Sequence, residues 1–268
     1  MPDMYSAKNL KMSVNHHQIS YIQFGKGSKV LVLIPGLSTQ RIEGKAYSMS
    51  WLYREFAKDY KVLMFDRRDD VNPGYSIRQM AEEIAQALDQ LKIKSVDVIG
   101  VSQGGMIAQC LEITHPELVH KMVIAVTMSR PTKTCKQTIG NWISLAKNGD
   151  THTLVKDSLF KSYSRQYIKH HKCMLNLLSY FSRVKDLNRF IILAQSILEF
   201  NISDQLTMIK CPTLVIGGRQ DKVLGIEGTL QIIDQIHAQS YIYDNYGHAL
   251  YLEAKDFNHR IRRFLNER

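Results

Sequence analysis

Residues 96–113 read VDVIGVSQGGMIAQCLEI. The first six, apolar except for Asp97, read as a buried strand of a parallel sheet, and from Gln103 to His115 the chain takes on helical composition. Between them lies Gly100-Val101-Ser102-Gln103-Gly104, which matches G-x-S-x-G in the strand-to-helix context that gives the motif meaning. A five-residue match of this kind arises by chance about one time in twenty in such a chain, so the context carries the weight. A serine at this sharp turn has strained dihedrals and needs neighbours without Cβ atoms. The turn lifts the hydroxyl above the sheet edge and leaves the Gln103 N–H at a helix N-terminus, where it can stabilise an oxyanion. The plainer alternative is an ordinary turn with an N-capping serine and packing glycines.

Moving outward, Met12–Phe24 alternates around His16-His17 and predicts a hairpin of two short edge strands. Val30–Ile34 and Lys61–Phe65 are further buried strands, with a short helix expected over Trp51–Lys58 between them. Ile77–Leu91 has apolar residues at helical spacing behind the N-cap candidate Ser76, and Lys121–Val126 is the next strand. This β-α-β-α-β alternation implies a largely parallel sheet. It breaks from Arg130 to about Asp204 in a helical stretch, then resumes with TLVIG at 213–217, a helix over Thr229–Ile236, a strand over Ser240–Tyr243 and a terminal helix over Phe257–Leu265. The expected organisation is a core of residues 1–130 and 204–268 with a helical cap at 131–203.

The 268 residues are 44% hydrophobic, enough for one domain with a large core. No segment approaches the roughly 18 apolar residues of a membrane span, and the N-terminus lacks the pattern of a signal peptide, so a cytoplasmic protein is expected. The four cysteines are scattered without metal-site spacing. The His16-His17 and His170-His171 pairs diverge in direction and chelate nothing. The net charge of +10 comes with no nucleic-acid motif.

GVSQGG, preceded by the strand and turn LVLIPGL, resembles the nucleophile elbow and oxyanion loop of the α/β-hydrolase superfamily, over nearly the whole chain. The resemblance implies that fold, with Ser102 as nucleophile and the backbone N–H groups of Leu37 and Gln103 as oxyanion donors. Ile34-Pro35-Gly36 departs from the His-Gly of many relatives, but the donor is backbone. Gly247-His248, with Glu253 and Phe257-Asn258 beyond it, is similar to the family's histidine segment, and Asp221 in Gly217-Gly218-Arg219-Gln220-Asp221 to its acid loop. The chain order Ser, Asp, His then fits. Asp244 competes as the acid but lies very near His248 in sequence. Asp66-Arg67-Arg68-Asp69-Asp70 stands where the family reads D-x-R-G-x-G; without the glycines it reads as a solvated charged turn.

Within the cap, Phe160, Tyr163, Tyr167, Met174, Leu178 and Phe181 form one helical stripe, and Phe190, Ile191, Ala194, Ile197 and Leu198 another, together an apolar ceiling for Ser102. Residues 131–203 hold eleven Lys/Arg against four Asp/Glu. Lys161, Arg165, Lys169 and Lys172 have the spacing of one basic helical face, a solvated surface or a guide for an anionic substrate or acidic carrier protein. The expected activity is cleavage of a carboxylic ester through a Ser102 acyl-enzyme, without metal or organic cofactor. A thioesterase or C–C bond hydrolase with the same triad, and a non-catalytic small-molecule receptor on the same fold, are the alternatives.

Overall fold

The computed structural model describes residues 4–182 and 184–267. It begins with the hairpin β1 (Lys8–Val14) and β2 (His17–Phe24). Val14 pairs with His17 across a two-residue loop, and Asn15 and His16 both have positive φ, as the tight turn matching sheet twist requires. Of these two strands only β1 lies at a sheet edge: β2 also pairs with the strand Tyr60–Phe65, so the expectation of two edge strands is corrected.

The other strands are β3 (Lys29–Ile34), β4 (Tyr60–Phe65), β5 (Val96–Val101), β6 (Val119–Ala125), β7 (Thr213–Gly218) and β8 (Gln239–Tyr243). The sheet has eight strands in the order β1-β2-β4-β3-β5-β6-β7-β8, parallel from β4 onward. Both faces are covered, which explains the apolar, non-alternating strand sequences. Along β3, Val32 and Ile34 pack into one core, with α2 (Ile77–Gln90) and α3 (Gln103–Thr114). Leu31 and Leu33 pack into the other, with α1 (Ala46–Leu52) and α10 (Phe257–Asn266).

Between β3 and β4 the helix lies earlier than Trp51–Lys58: α1 ends at Leu52, and Arg54–Phe56 forms a separate 3-10 turn. Apolar periodicity does not fix the break, and the Tyr53 backbone (ψ 23°) interrupts the helix there. Ser76 does cap α2, in a reciprocal capping box with Gln79.

Among the described residues, four α-helices and a 3-10 helix (Ser203–Met208) connect β6 to β7, the α-helices being α4 (Lys133–Lys147), α5 (Thr151–Ser162), α6 (Arg165–Phe181) and α7 (Leu187–Leu198). The two apolar stripes fare differently. Phe190, Ala194 and Ile197 of α7 are buried, whereas Met174, Leu178 and Phe181 of α6 are 41%, 47% and 70% exposed, so the first stripe is not a continuous ceiling. Periodicity identifies a helix face but not what covers it, and α6 also kinks at His171. Lys161 lies in the last turn of α5 and the other three on α6, so the four basic residues do not share one helix. The chain closes with α8 (Ile226–Ile236), α9 (Leu250–Glu253) and α10.

Candidate active site

Four loops at the carboxyl ends of β3, β5, β7 and β8 converge, the usual location of a site on a parallel sheet. After β5 the chain turns within one residue: Ser102 has φ 56° and ψ −120°, and α3 starts at Gln103. For a residue with a Cβ this conformation costs on the order of 1–3 kcal/mol. The surrounding glycines are sterically required. A Cβ on Gly104 would lie 1.9 Å from the Ile34 carbonyl oxygen, and one on Gly100 would lie 2.4 Å from that of Gly104. Thr127 secures the turn by donating its hydroxyl to the Ser102 carbonyl at 2.8 Å. Neighbouring Val126 has φ 45°, an uncommon conformation for a β-branched residue.

His248 lies beyond β8 and Asp221 beyond β7. The His248 Nε2 is 2.9 Å from Ser102 Oγ, and its Nδ1 is 2.8 Å from Asp221 Oδ2. The other carboxylate oxygen, Oδ1, accepts from the N–H groups of Val223 (2.7 Å) and Leu224 (3.0 Å), which fixes the carboxylate plane. Ser102, Asp221 and His248 are all more than 90% buried. Asp244 instead pairs with Arg219 at 2.7 Å on the surface.

The loop after β3 passes close to the serine: a Cβ on Gly36 would sit 3.1 Å from the Ser102 Cβ. Leu37 and the start of α3 therefore flank the hydroxyl, and the Gln103 N–H is one of the orphan donors of a helix N-terminus. The Gln103 side chain, fully buried, accepts from Arg67 Nη2 at 2.8 Å and donates to the Leu193 carbonyl of α7 at 2.7 Å. The same Arg67 nitrogen donates to the Pro35 carbonyl at 2.6 Å. One guanidinium thus links the β3 loop to the first residue of α3.

That arrangement corrects the reading of residues 66–70 as a solvated turn for its first three residues, while Asp70 stays exposed. Arg67 is 5% exposed, and burial lowers its pKa to about 10, so it stays charged at neutral pH. Asp66 accepts from the Arg67 and Ile42 N–H groups and from Arg189 Nη2 of α7. Arg68 reaches the buried Glu83. The available clue was position, since the run follows directly on a strand of the parallel sheet. Charge composition pointed the other way.

A cavity of about 170 Å³ opens on Ser102 and His248, lined from the inserted helices by Ile139, Trp142, Leu154, Phe190 and Ile197. The insertion is joined to the histidine loop, because Ser164 at the start of α6 donates to Glu253 through both its N–H (3.0 Å) and its hydroxyl (2.6 Å). Among the described residues no group of three or more His, Cys, Asp or Glu could hold a metal ion. No described helix is long and apolar enough to cross a membrane.

The comparisons with known proteins agree with this architecture. Residues 29–255 match the model of the alpha/beta hydrolase fold family, and the chain belongs to that family. It is 25% identical over 99% of its length, and 94% of the relative's, to a Haemophilus influenzae protein provisionally named an esterase/lipase. It is 23% identical over 79% of its length, and 85% of the relative's, to a Rhizobium rhizogenes protein provisionally named the carbamate hydrolase RutD. Among solved structures, the enol-lactonase from Burkholderia xenovorans superposes with a TM-score of 0.84 at 19% identity, covering 96% of this chain and all of that one. It shares the fold.

Proposed function

We infer that the protein is a serine hydrolase that cleaves a carboxylic ester or a related acyl bond. The observation that carries the reading is the unbroken hydrogen-bond chain from Ser102 Oγ through His248 to Asp221. In this reading His248 Nε2 takes the hydroxyl proton as Ser102 attacks the acyl carbon, and Asp221 holds the imidazole in one tautomer while stabilising its cationic form. The N–H groups of Leu37 and Gln103 receive the negative charge of the tetrahedral intermediate. His248 then protonates the leaving group, and water, activated by the same histidine, releases the acid from the acyl-enzyme. No metal or organic cofactor is needed for these steps.

Residues 1–130 and 204–268 act as the hydrolase core, and 131–203 as a cap that covers the acyl chain and limits its length. The apolar walls supplied by Trp142, Leu154 and Phe190 favour a small acyl compound over a peptide. The absence of a membrane-spanning helix among the described residues fits a cytoplasmic enzyme.

Relatives named for carbamate, ester and enol-lactone chemistry define the test. A panel of aryl esters, thioesters, carbamates and lactones of increasing chain length, assayed with wild type and Ser102→Ala, should show one class turned over best with a cutoff in chain length. Turnover that survives Ser102→Ala would reject the mechanism. A single slow acylation without turnover on every substrate would support a receptor.

A further inference from the structure

We propose that the cavity on the far side of the oxyanion loop from Ser102 is a carboxylate-binding subsite, and that the substrate is an acyl compound bearing a second, anionic carboxylate a few carbons from the scissile carbonyl. This rests on the serine-hydrolase reading for the chemistry, but not for the binding. The cavity has a volume of about 270 Å³ and shares Gly36, Leu37, Ser38 and Tyr251 with the cavity that opens on Ser102. The two cavities adjoin at this loop, and in the proposal one ligand spans both with its carbonyl at the loop.

The two chambers differ in charge. His248 is the sole ionisable group other than Tyr251 on the serine side, whereas the second chamber is lined by Lys45, Arg67 and Arg189 against one carboxylate, Asp66. Asp66 is already committed, with Oδ1 accepting from the Arg67 N–H and Arg189 Nη2, and Oδ2 from the Ile42 N–H. It forms a buried ion pair with Arg189 and offsets one of the three positive charges, so the chamber keeps an excess of cations.

Arg67 and Arg189 are each 5% exposed, and the protein leaves them under-satisfied. Both direct Nη2 to protein acceptors, their buried Nε atoms have no partner, and neither Nη1 bonds to a described residue. Burial lowers the pKa values of Arg67 and Lys45, a direction that a bound anion would reverse. One carboxylate against three cations leaves a net positive charge in a largely buried chamber, which is costly, and an anionic ligand offsets that cost. A carboxylate matches the planar fork of an arginine, and Lys45 adds a point charge. Met49, Leu52 and Met64 line the rest and suit a short methylene chain.

The test compares the mono-p-nitrophenyl ester of glutarate with p-nitrophenyl pentanoate, which has the same chain length and no second charge. In wild type, kcat/KM for the glutarate ester should exceed that for the neutral ester by about tenfold or more. Lys45→Gln should reduce this ratio by about fivefold, mainly through KM of the anionic ester. A wild-type ratio at or below one, or a ratio unmoved by Lys45→Gln, would overturn the subsite. Calorimetry on Ser102→Ala tests binding without catalysis: glutarate should bind, 1,5-pentanediol should not, and Lys45→Gln should weaken glutarate. Equal binding of acid and diol would overturn the proposal even if both esters are hydrolysed. Glutarate binding without hydrolysis of either ester would support the subsite and count against the serine-hydrolase reading instead.

Discussion

At the scale of single residues, the site depends on a serine held in a conformation its own backbone disfavours. Ser102→Ala and His248→Ala should each lower kcat by several orders of magnitude, about 10⁶-fold by analogy with triads in which members act as a unit, and the double variant should be little worse. Circular dichroism should show both variants folded, because neither side chain fills the core. Asp221→Asn should cost about 10⁴-fold in kcat by allowing the wrong imidazole tautomer. Asp244→Asn, which removes only the surface pair with Arg219, should stay near wild type. Steady-state kinetics on one ester ranks all four, and a reversed order for the two aspartates would move the acid to Asp244. These positions were legible in the sequence because strand order and motif spacing constrain them. Arg67 was not. A charged side chain is solvated by default, and only the three-dimensional approach of Pro35 and Gln103 supplies its acceptors.

At the scale of elements, the elbow is built by backbone proximity, so its glycines should tolerate nothing larger. Gly104→Ala would place a methyl group against the Ile34 carbonyl and should lower the melting temperature sharply or abolish folding, in contrast to Gly140→Ala, where a Cβ meets open space. Differential scanning calorimetry of the pair measures the difference. Helix α3 is also tied to β7 by Glu112, which is 1% exposed and accepts from the N–H groups of Lys210 and Cys211. Burial raises its pKa above the ordinary carboxylate range. The native state therefore takes up this proton at higher pH than the unfolded chain does. The stabilisation linked to it is full below the unfolded pKa and is lost as pH rises through the folded one. Glu112→Gln removes that dependence, so the melting temperature of the variant relative to wild type should rise as pH increases from 4.5 toward neutrality. A difference that is flat or falls with pH would show that the carboxylate is not destabilised by burial. Element order and the capping box of α2 could be read from spacing, while the end of α1 and the exposed face of α6 could not, because they depend on which surface meets which.

At the scale of the whole molecule, most of the +10 net charge lies in the segment inserted between β6 and β7. Arg165 and Lys169 are exposed on α6 and could guide an anionic acyl compound or an acidic carrier toward the cavities. Reversing both to Glu should lower kcat/KM for an anionic substrate at low ionic strength, leave a neutral ester unaffected, and lose its effect in high salt. An equal response of both substrates would reduce the stripe to a solvated surface. The kinetic predictions require that Ser102 forms a covalent acyl-enzyme. Stopped-flow hydrolysis of a chromogenic ester, with enzyme in near-stoichiometric amount and intact-protein mass spectrometry of the quenched reaction, tests that claim most directly. Repeated turnover is expected, with a rapid release of chromophore matching the enzyme concentration if deacylation is the slower step, and an acyl adduct on Ser102 that is absent from Ser102→Ala. An adduct on another residue, or turnover undiminished in Ser102→Ala, would contradict it.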